Sequence, residues 1–185
     1  MRSIPLSRAT RVGLSVVLAL ACAPPAHAQV ESFAAVANVA GETPVTVLVQ
    51  RYTSDRERKT LIEALKKGSA NARALLIKGP DLGSVQIGEH RTAIKYVYAR
   101  LAVAGRQVTA VTAAPIVMGD QKPPTSGYDF GLVLLDLDPS GRGRGDLVPA
   151  TKIRVLEDGA FETENDNGVV VHLSDVTAVK RTEPR

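Results

Sequence analysis

The sequence predicts an α+β domain: a mostly antiparallel, curved sheet or partial barrel of about eight or nine strands, with one αα-hairpin packed against it. Three observations carry that expectation. Apolar residues recur with period two through most of the chain, the spacing of strands that bury one face. The period lengthens to that of a helix only between Ser54 and Lys78. The strand-like segments are joined by short connections, among them Asp158-Gly159 and Asn167-Gly168, dipeptides that tolerate the positive φ of tight hairpins.

Residues 1–28 stand apart from that domain. Arg2, Arg8 and Arg11 make a basic start, and an apolar run extends from Val12 to Ala21. Pro24-Pro25 breaks the run, and Ala26-His27-Ala28 places small residues at −3 and −1 of a cleavage site. This is the pattern of an export signal cleaved after Ala28, leaving residues 29–185 as a single domain. The apolar run falls short of the roughly 20 residues that span a bilayer. Lipid attachment at Cys22 calls for Leu three residues upstream, where Ala19 stands. The expectation is a protein without a transmembrane segment after cleavage, located in the periplasm or outside the cell.

The leader also distorts the charge balance. Three of the 23 basic residues lie in it and none of the 19 acidic ones, so residues 29–185 carry 20 against 19, a net of +1 rather than +4. A nucleic-acid partner is not expected, because such proteins keep a strong basic footprint. The single cysteine is Cys22, so the exported part has no disulfide and no thiol nucleophile.

Along the domain, residues 31–50 read as two strands separated by Gly41 and Pro44. Ser54 and Glu57 form the S-x-x-E capping box of a helix carrying Leu61, Ile62 and Leu65, which ends at Lys66-Lys67-Gly68. Ser69 is expected to cap a shorter helix with Ala72, Leu75 and Leu76, stopped by Gly79-Pro80. From Ser84 the chain is strand-like. Residues 91–103 alternate, with Ile94, Tyr96 and Tyr98 on one face and Ala93, Val97 and Leu101 on the other. A turn at Ala104-Gly105-Arg106 leads to residues 108–113, and residues 114–117 continue that strand past Pro115, as an edge strand can. Residues 119–127, with Pro123-Pro124, read as the most mobile loop. Residues 128–156 are two long strands around a glycine-rich turn, followed by an up-and-down run of hairpins.

Charge is segregated. Residues 51–80 hold eight basic and three acidic residues, while residues 128–175 hold four and ten. A helical hairpin docked on an acidic sheet, the two neutralising one another, is the preferred reading over a basic surface that meets an anionic partner.

The glycine-rich turn concentrates the chemistry-bearing residues. Asp136, Asp138, Ser140 and Gly141 match the first half of a calcium loop, but Arg144 and Leu147 stand where its later ligands belong. Gly141, Gly143 and Gly145 alternate with Arg142 and Arg144, without the lysine or the following helix of a phosphate loop. A hairpin tip with its glycines at positive φ or in a bulge is expected, with Arg142 and Arg144 as a surface contact. Outside the leader only His90 and His172 remain as histidines, too few for a zinc signature. Either could act as a general base, yet no serine sits in a G-x-S-x-G elbow, and Ser84, Ser174 and Asp175 join a histidine only if the fold brings them together. Tyr96 and Tyr98 are the best pair to line a pocket, although core packing is the preferred reading of both. No cofactor is expected.

Several segments occur as a set: Ala64-Leu65-Lys66-Lys67-Gly68 after the capped helix, Ile94-Lys95-Tyr96, Leu135-Asp136-Leu137-Asp138 leading to Gly141, Gly143 and Gly145, and Ala150-Thr151-Lys152-Ile153. With them the chain resembles a group of small exported bacterial proteins to which no activity is assigned. The resemblance implies bacterial export and a shared fold, and supplies no site residues.

The functional expectation is a secreted or periplasmic non-enzymatic module that binds a small ligand or an envelope protein. The alternatives are a cell-envelope hydrolase using His90 or His172, and a calcium-dependent adhesion module. Mass spectrometry of the exported protein should find Gln29 at its N-terminus; an intact Met1 or a lipidated Cys22 would refute cleavage after Ala28.

Overall fold

The structure is a computed structural model that describes residues 31–38, 41–119, 124–155 and 161–180. The expected leader, the Asp158-Gly159 turn and the centre of the Pro123-Pro124 connection lie outside those residues. The elements are β1 (Glu31–Asn38), β2 (Glu42–Val49), α1 (Asp55–Lys66), α2 (Ser69–Lys78), β3 (Gly83–Ile87), β4 (His90–Ala102), β5 (Gly105–Thr112), β6 (Phe130–Leu137), β7 (Arg142–Val155), β8 (Phe161–Asn165) and β9 (Val171–Lys180). Successive strands pair antiparallel from β1 through β7, and β9 then pairs with both β7 and β1. That double pairing closes eight strands into a barrel, with β8 as an extra strand on β7.

The architecture is α+β as expected, but the barrel is closed, not a curved sheet or partial barrel. Closure leaves β1 and β7 with no unpaired edge, which removes a template for intermolecular pairing.

The end of the chain does not form the expected meander. Residues 161–165 oppose 155–151 of β7, and residues 171–177 oppose 147–142, so β8 and β9 follow one another along the same strand. Asn167 and Gly168, at φ 51° and 66°, form a short 3-10 step between them and not a hairpin reversal. Both residues do adopt the positive φ that the dipeptide favours. Further on, β9 carries a bulge at Asp175 (φ 53°), where its register shifts against both β1 and β7. The extra residue lets Leu173 and Val176, three apart, both point into the barrel.

Period-two alternation fills the interior: Phe33, Ala35 and Ala37 of β1, Val45, Val47 and Val49 of β2, Val133, Leu135 and Leu137 of β6. This inside-apolar pattern is the reverse of a membrane-spanning barrel, whose apolar band faces outward. Among the described residues, no helix is long and apolar enough to cross a membrane.

One barrel end is stopped by residues 113–119. Residues 114–117, expected to continue the preceding strand, form none: the Ile116 backbone N–H bonds the Pro149 carbonyl (2.8 Å), and Ile116 and Met118 lie in the core. Gly131 makes room: a Cβ there would lie 2.4 Å from Ile116. Toward the other end, Arg106 ion-pairs with buried Glu31, and the Tyr52 hydroxyl donates to the same carboxylate at 2.5 Å. Arg106 therefore belongs to β5 and not to the turn before it.

The strand faces of β4 also depart from simple alternation. A bulge at Lys95, between the paired positions Ile94 and Tyr96, turns Ile94 inward with Val97 and leaves Tyr96 outside. The glycines of the β6–β7 hairpin differ in role as well. Asp138-Pro139-Ser140-Gly141 is the turn, with Gly141 at φ 81° and its N–H on the Asp138 carbonyl (3.0 Å). Gly143 and Gly145 do not share the positive φ; a Cβ on Gly143 would lie 1.8 Å from the Asp136 carbonyl oxygen. Gly143→Ala is expected to lower the unfolding free energy by about 2 kcal/mol or more, as backbone clashes do. Urea unfolding checks this; a loss below about 0.5 kcal/mol, the scale of an inert surface change, would reject the close approach.

Candidate functional site

The helical hairpin covers the outer face of one side of the barrel. There β4 to β7 are apolar on both faces: Val133 and Leu135 point in, while Val111, Phe130, Leu132 and Val148 point out against Leu61, Leu65, Ala72 and Leu76 of the helices. Strands covered on both faces read as continuous apolar runs, which explains Phe130-Gly-Leu-Val-Leu-Leu.

Three outward rows cross this wall in register. Tyr96, Val111, Leu132 and Val148 form the first, and the helices lie over it. Tyr98, Thr109, Leu134 and Asp146 form the second, and Arg100, Gln107, Asp136 and Arg144 the third. The surface thus grades from apolar to charged along the strands. Between α1 and these rows opens a cleft of about 490 Å³. Its floor is Val111, Phe130, Leu132, Leu134 and Ile153, its roof Leu61, Ile62 and Leu65, and its polar end Arg58, Tyr98, Arg100, Gln107 and Thr109. A smaller cleft of about 250 Å³ lies beyond Leu61 and Tyr96, with Arg56 and Lys95 on its rim.

The start of α1 is pinned to the wall. Thr53 exchanges two bonds with Val97, its N–H to the carbonyl (2.8 Å) and its Oγ1 accepting from the Val97 N–H (2.9 Å). The capping box forms, with the Glu57 carboxylate accepting from the Ser54 N–H (2.8 Å) and the Ser54 Oγ accepting from the Glu57 N–H. Arg51 grips the same carboxylate through two N–H groups at 2.8 and 3.0 Å, which, with the cap, holds Glu57 down at about 2. α2 differs from expectation: Gly68, at φ 118°, occupies the cap position, and Ser69 is the first helical residue with no side-chain cap.

This anchoring sets Arg58 over the Tyr98 ring, 4.6 Å from its centre. The Arg58 Nε is buried without a hydrogen-bond partner. Arg100 donates its Nε to Gln107 (2.8 Å), which in turn donates to Asp136 (2.7 Å). Among the described residues neither Arg58 nor Arg100 forms an ion pair, and none of the cleft-lining residues is acidic. Burial pushes the Tyr96 hydroxyl above its ordinary range, and the Arg58 charge partly opposes that rise.

Tyr96 and Tyr98 both line the cleft. Arg142 and Arg144 lie exposed on β7, Arg144 at the far end of the third row, and neither lines it. The acids of the glycine-rich turn do not converge: Asp138 accepts from Ser140 and the Arg142 N–H, and Asp136 accepts from Gln107. No group of three or more potential metal-ligating side chains occurs among the described residues. His90 is exposed at the start of β4, and His172 on β9, with three strands between them. His172 Nδ1 lies 2.7 Å from Asp146, on an open face where the imidazole is 87 % exposed. Ser84 is buried in β3, and the Ser174 hydroxyl faces the Val36 carbonyl. Among the described residues the two charged segments meet through one ion pair, Arg73–Asp129 at 3.7 Å, and the helices dock through apolar contacts.

Sequence reasoning missed Arg58 and Arg100, though both carried a signal. Arg58 precedes Leu61, Ile62 and Leu65 by three, four and seven residues, which puts a cation on the apolar face of α1. Arg100 continues the outward alternation of Tyr96 and Tyr98. Comparison with protein-family models, with curated proteins and with solved structures returns no match.

Because folding depresses Glu57 below its ordinary 4.5, the bond network contributes stability above that pH and loses it as pH falls toward 2. Glu57→Gln is expected to be less stable at neutral pH and to converge on the parent by about pH 2. Thermal unfolding across that range checks it; parallel curves would reject the assignment.

Proposed function

We propose that this protein is an exported, non-enzymatic binding module that holds a small amphipathic molecule between α1 and the outer wall of the barrel. The observation that carries the reading is the cleft of about 490 Å³, whose floor passes from Phe130 and Leu132 to Arg58, Arg100 and Gln107. Ligand sites are typically concave and mostly apolar, with a few placed polar groups. The barrel interior is taken up by packed side chains, so the site lies outside the barrel, under the helical hairpin. Export rests on the leader pattern, and a bacterial source on the resemblance of the quoted segments.

Titration with the neutral solvatochromic dye Nile red tests the reading. The parent protein should bind it with a blue-shifted emission. Thr109→Trp, which sets an indole over the floor from a half-buried outward position, should weaken binding at least about tenfold, the effect of losing roughly 1.4 kcal/mol. Unchanged binding by a folded Thr109→Trp protein would place the dye elsewhere and overturn the assignment.

A further inference from the structure

We propose that the occupant of this cleft is a long-chain carboxylate: one acyl chain under α1, its head group taken by Arg58. The inference rests on the binding reading above and names its ligand class.

The charge of the cleft points to an anion. Arg58 stands where the apolar floor meets the polar end, half-buried, with its Nε shielded from solvent and without a partner. A buried donor left unmade is unfavourable, and a charged one more so. No acidic side chain lines the cleft to answer it, and the nearest carboxylate in the third row, Asp136, is engaged by Gln107. The Nε is covered by protein atoms, so a ligand carboxylate meets the terminal N–H groups of Arg58 at the cleft, whose planar fork it suits.

The same residues argue against other heads. A neutral head would desolvate Arg58 and return only a neutral hydrogen bond, weaker than a charge-assisted one. A zwitterionic head would bring an ammonium group into a lining with two arginines and no acid. Its usual aromatic partner is also taken, because Arg58 already covers the Tyr98 ring. A dianionic head is best met by two guanidinium forks, and Arg100 has one of its donors, Nε, already on Gln107 and lies exposed at the mouth. Arg58, which has no ion-pair partner among the described residues, matches one singly charged carboxylate, with Arg100 adding field at the mouth.

The apolar part has a matching track. From Arg58 to Leu65 the roof runs seven residues, about 10 Å of helix at 1.5 Å per residue. Below it lie Phe130, Leu132 and Ile153. An extended acyl chain can lie along this track with its carboxylate at Arg58.

Competition against Nile red with dodecanoate, methyl dodecanoate and dodecylphosphocholine, each below its aggregation concentration, tests the proposal, with direct calorimetry of dodecanoate alongside. Dodecanoate should bind at least about tenfold more tightly than its methyl ester, the scale of a charge-assisted hydrogen bond. Arg58→Gln should erase that preference while keeping ester affinity within about twofold, and Arg58→Lys should retain part of it. An ester that competes as well as the acid, or an acid preference that survives Arg58→Gln, would overturn the carboxylate head while leaving the cleft as a binding site. Stronger binding of the phosphocholine would overturn it too. Absence of dodecanoate binding by calorimetry rejects the proposal outright, and failure of the dye as well would reject the binding reading beneath it.

Discussion

The structure depends on the pairing of β9 with two strands at once. β1 and β7 lie at opposite ends of the strand order set by the hairpins, and only β9 joins them. Without it the interior residues of β1, β2 and β6 would line an open trough, and two strand edges would be left unpaired. The bulge at Asp175 is part of the same constraint. Its extra residue corrects the register against both neighbours and keeps Leu173 and Val176 on the inner face. A single residue in the left-handed region, at a type that tolerates it, lets one strand fit two partners.

Closure also decides where a ligand can go. The barrel is narrow enough for its own side chains to fill, and Ile116 and Met118 stop one end from within. Toward the other end, the Glu31–Arg106 pair and the Tyr52 hydroxyl bury charge inside an otherwise apolar core, a group that stays favourable only while each partner is present. The usable concavity is therefore external. It opens where the apolar packing of α1 on the row at Val111 and Leu132 gives way to the row at Tyr98 and Thr109. The clamp of Thr53 to Val97 and the Ser54–Glu57–Arg51 network hold the start of α1 against that wall.

Much of this was legible along the chain. The capping box at Ser54 and Glu57, the helix pair, and the strands near residues 31–50 and 128–156 follow from local rules, because a cap or an alternation involves neighbours within a few residues. Alternation puts Tyr96 and Tyr98 on one face, and the two lie on the outer side of the wall. The misreadings share one cause. Ile94 was placed beside the tyrosines because alternation alone hides the bulge at Lys95, which is set by pairing with β5. Asn167-Gly168 was read as a hairpin because its dihedrals suit one, although β7 offers a continuous partner on both sides of the step.

The sequence by itself determined the elements, their antiparallel connection and the amphipathic faces, since these arise from short-range periodicity and turn chemistry. It also carried the leader pattern and the near balance of charge outside it. Only the tertiary structure decided that the sheet closes, that Ile116 and Met118 fill one end of the barrel, and that Arg58 from a helix meets Tyr98 from a strand and shares a cleft with Arg100. Those contacts join positions some forty residues apart through backbone register and packing. No local pattern encodes which apolar face will meet which, so the cleft and the guanidinium at its polar end become visible only once the wall and the helix are in place.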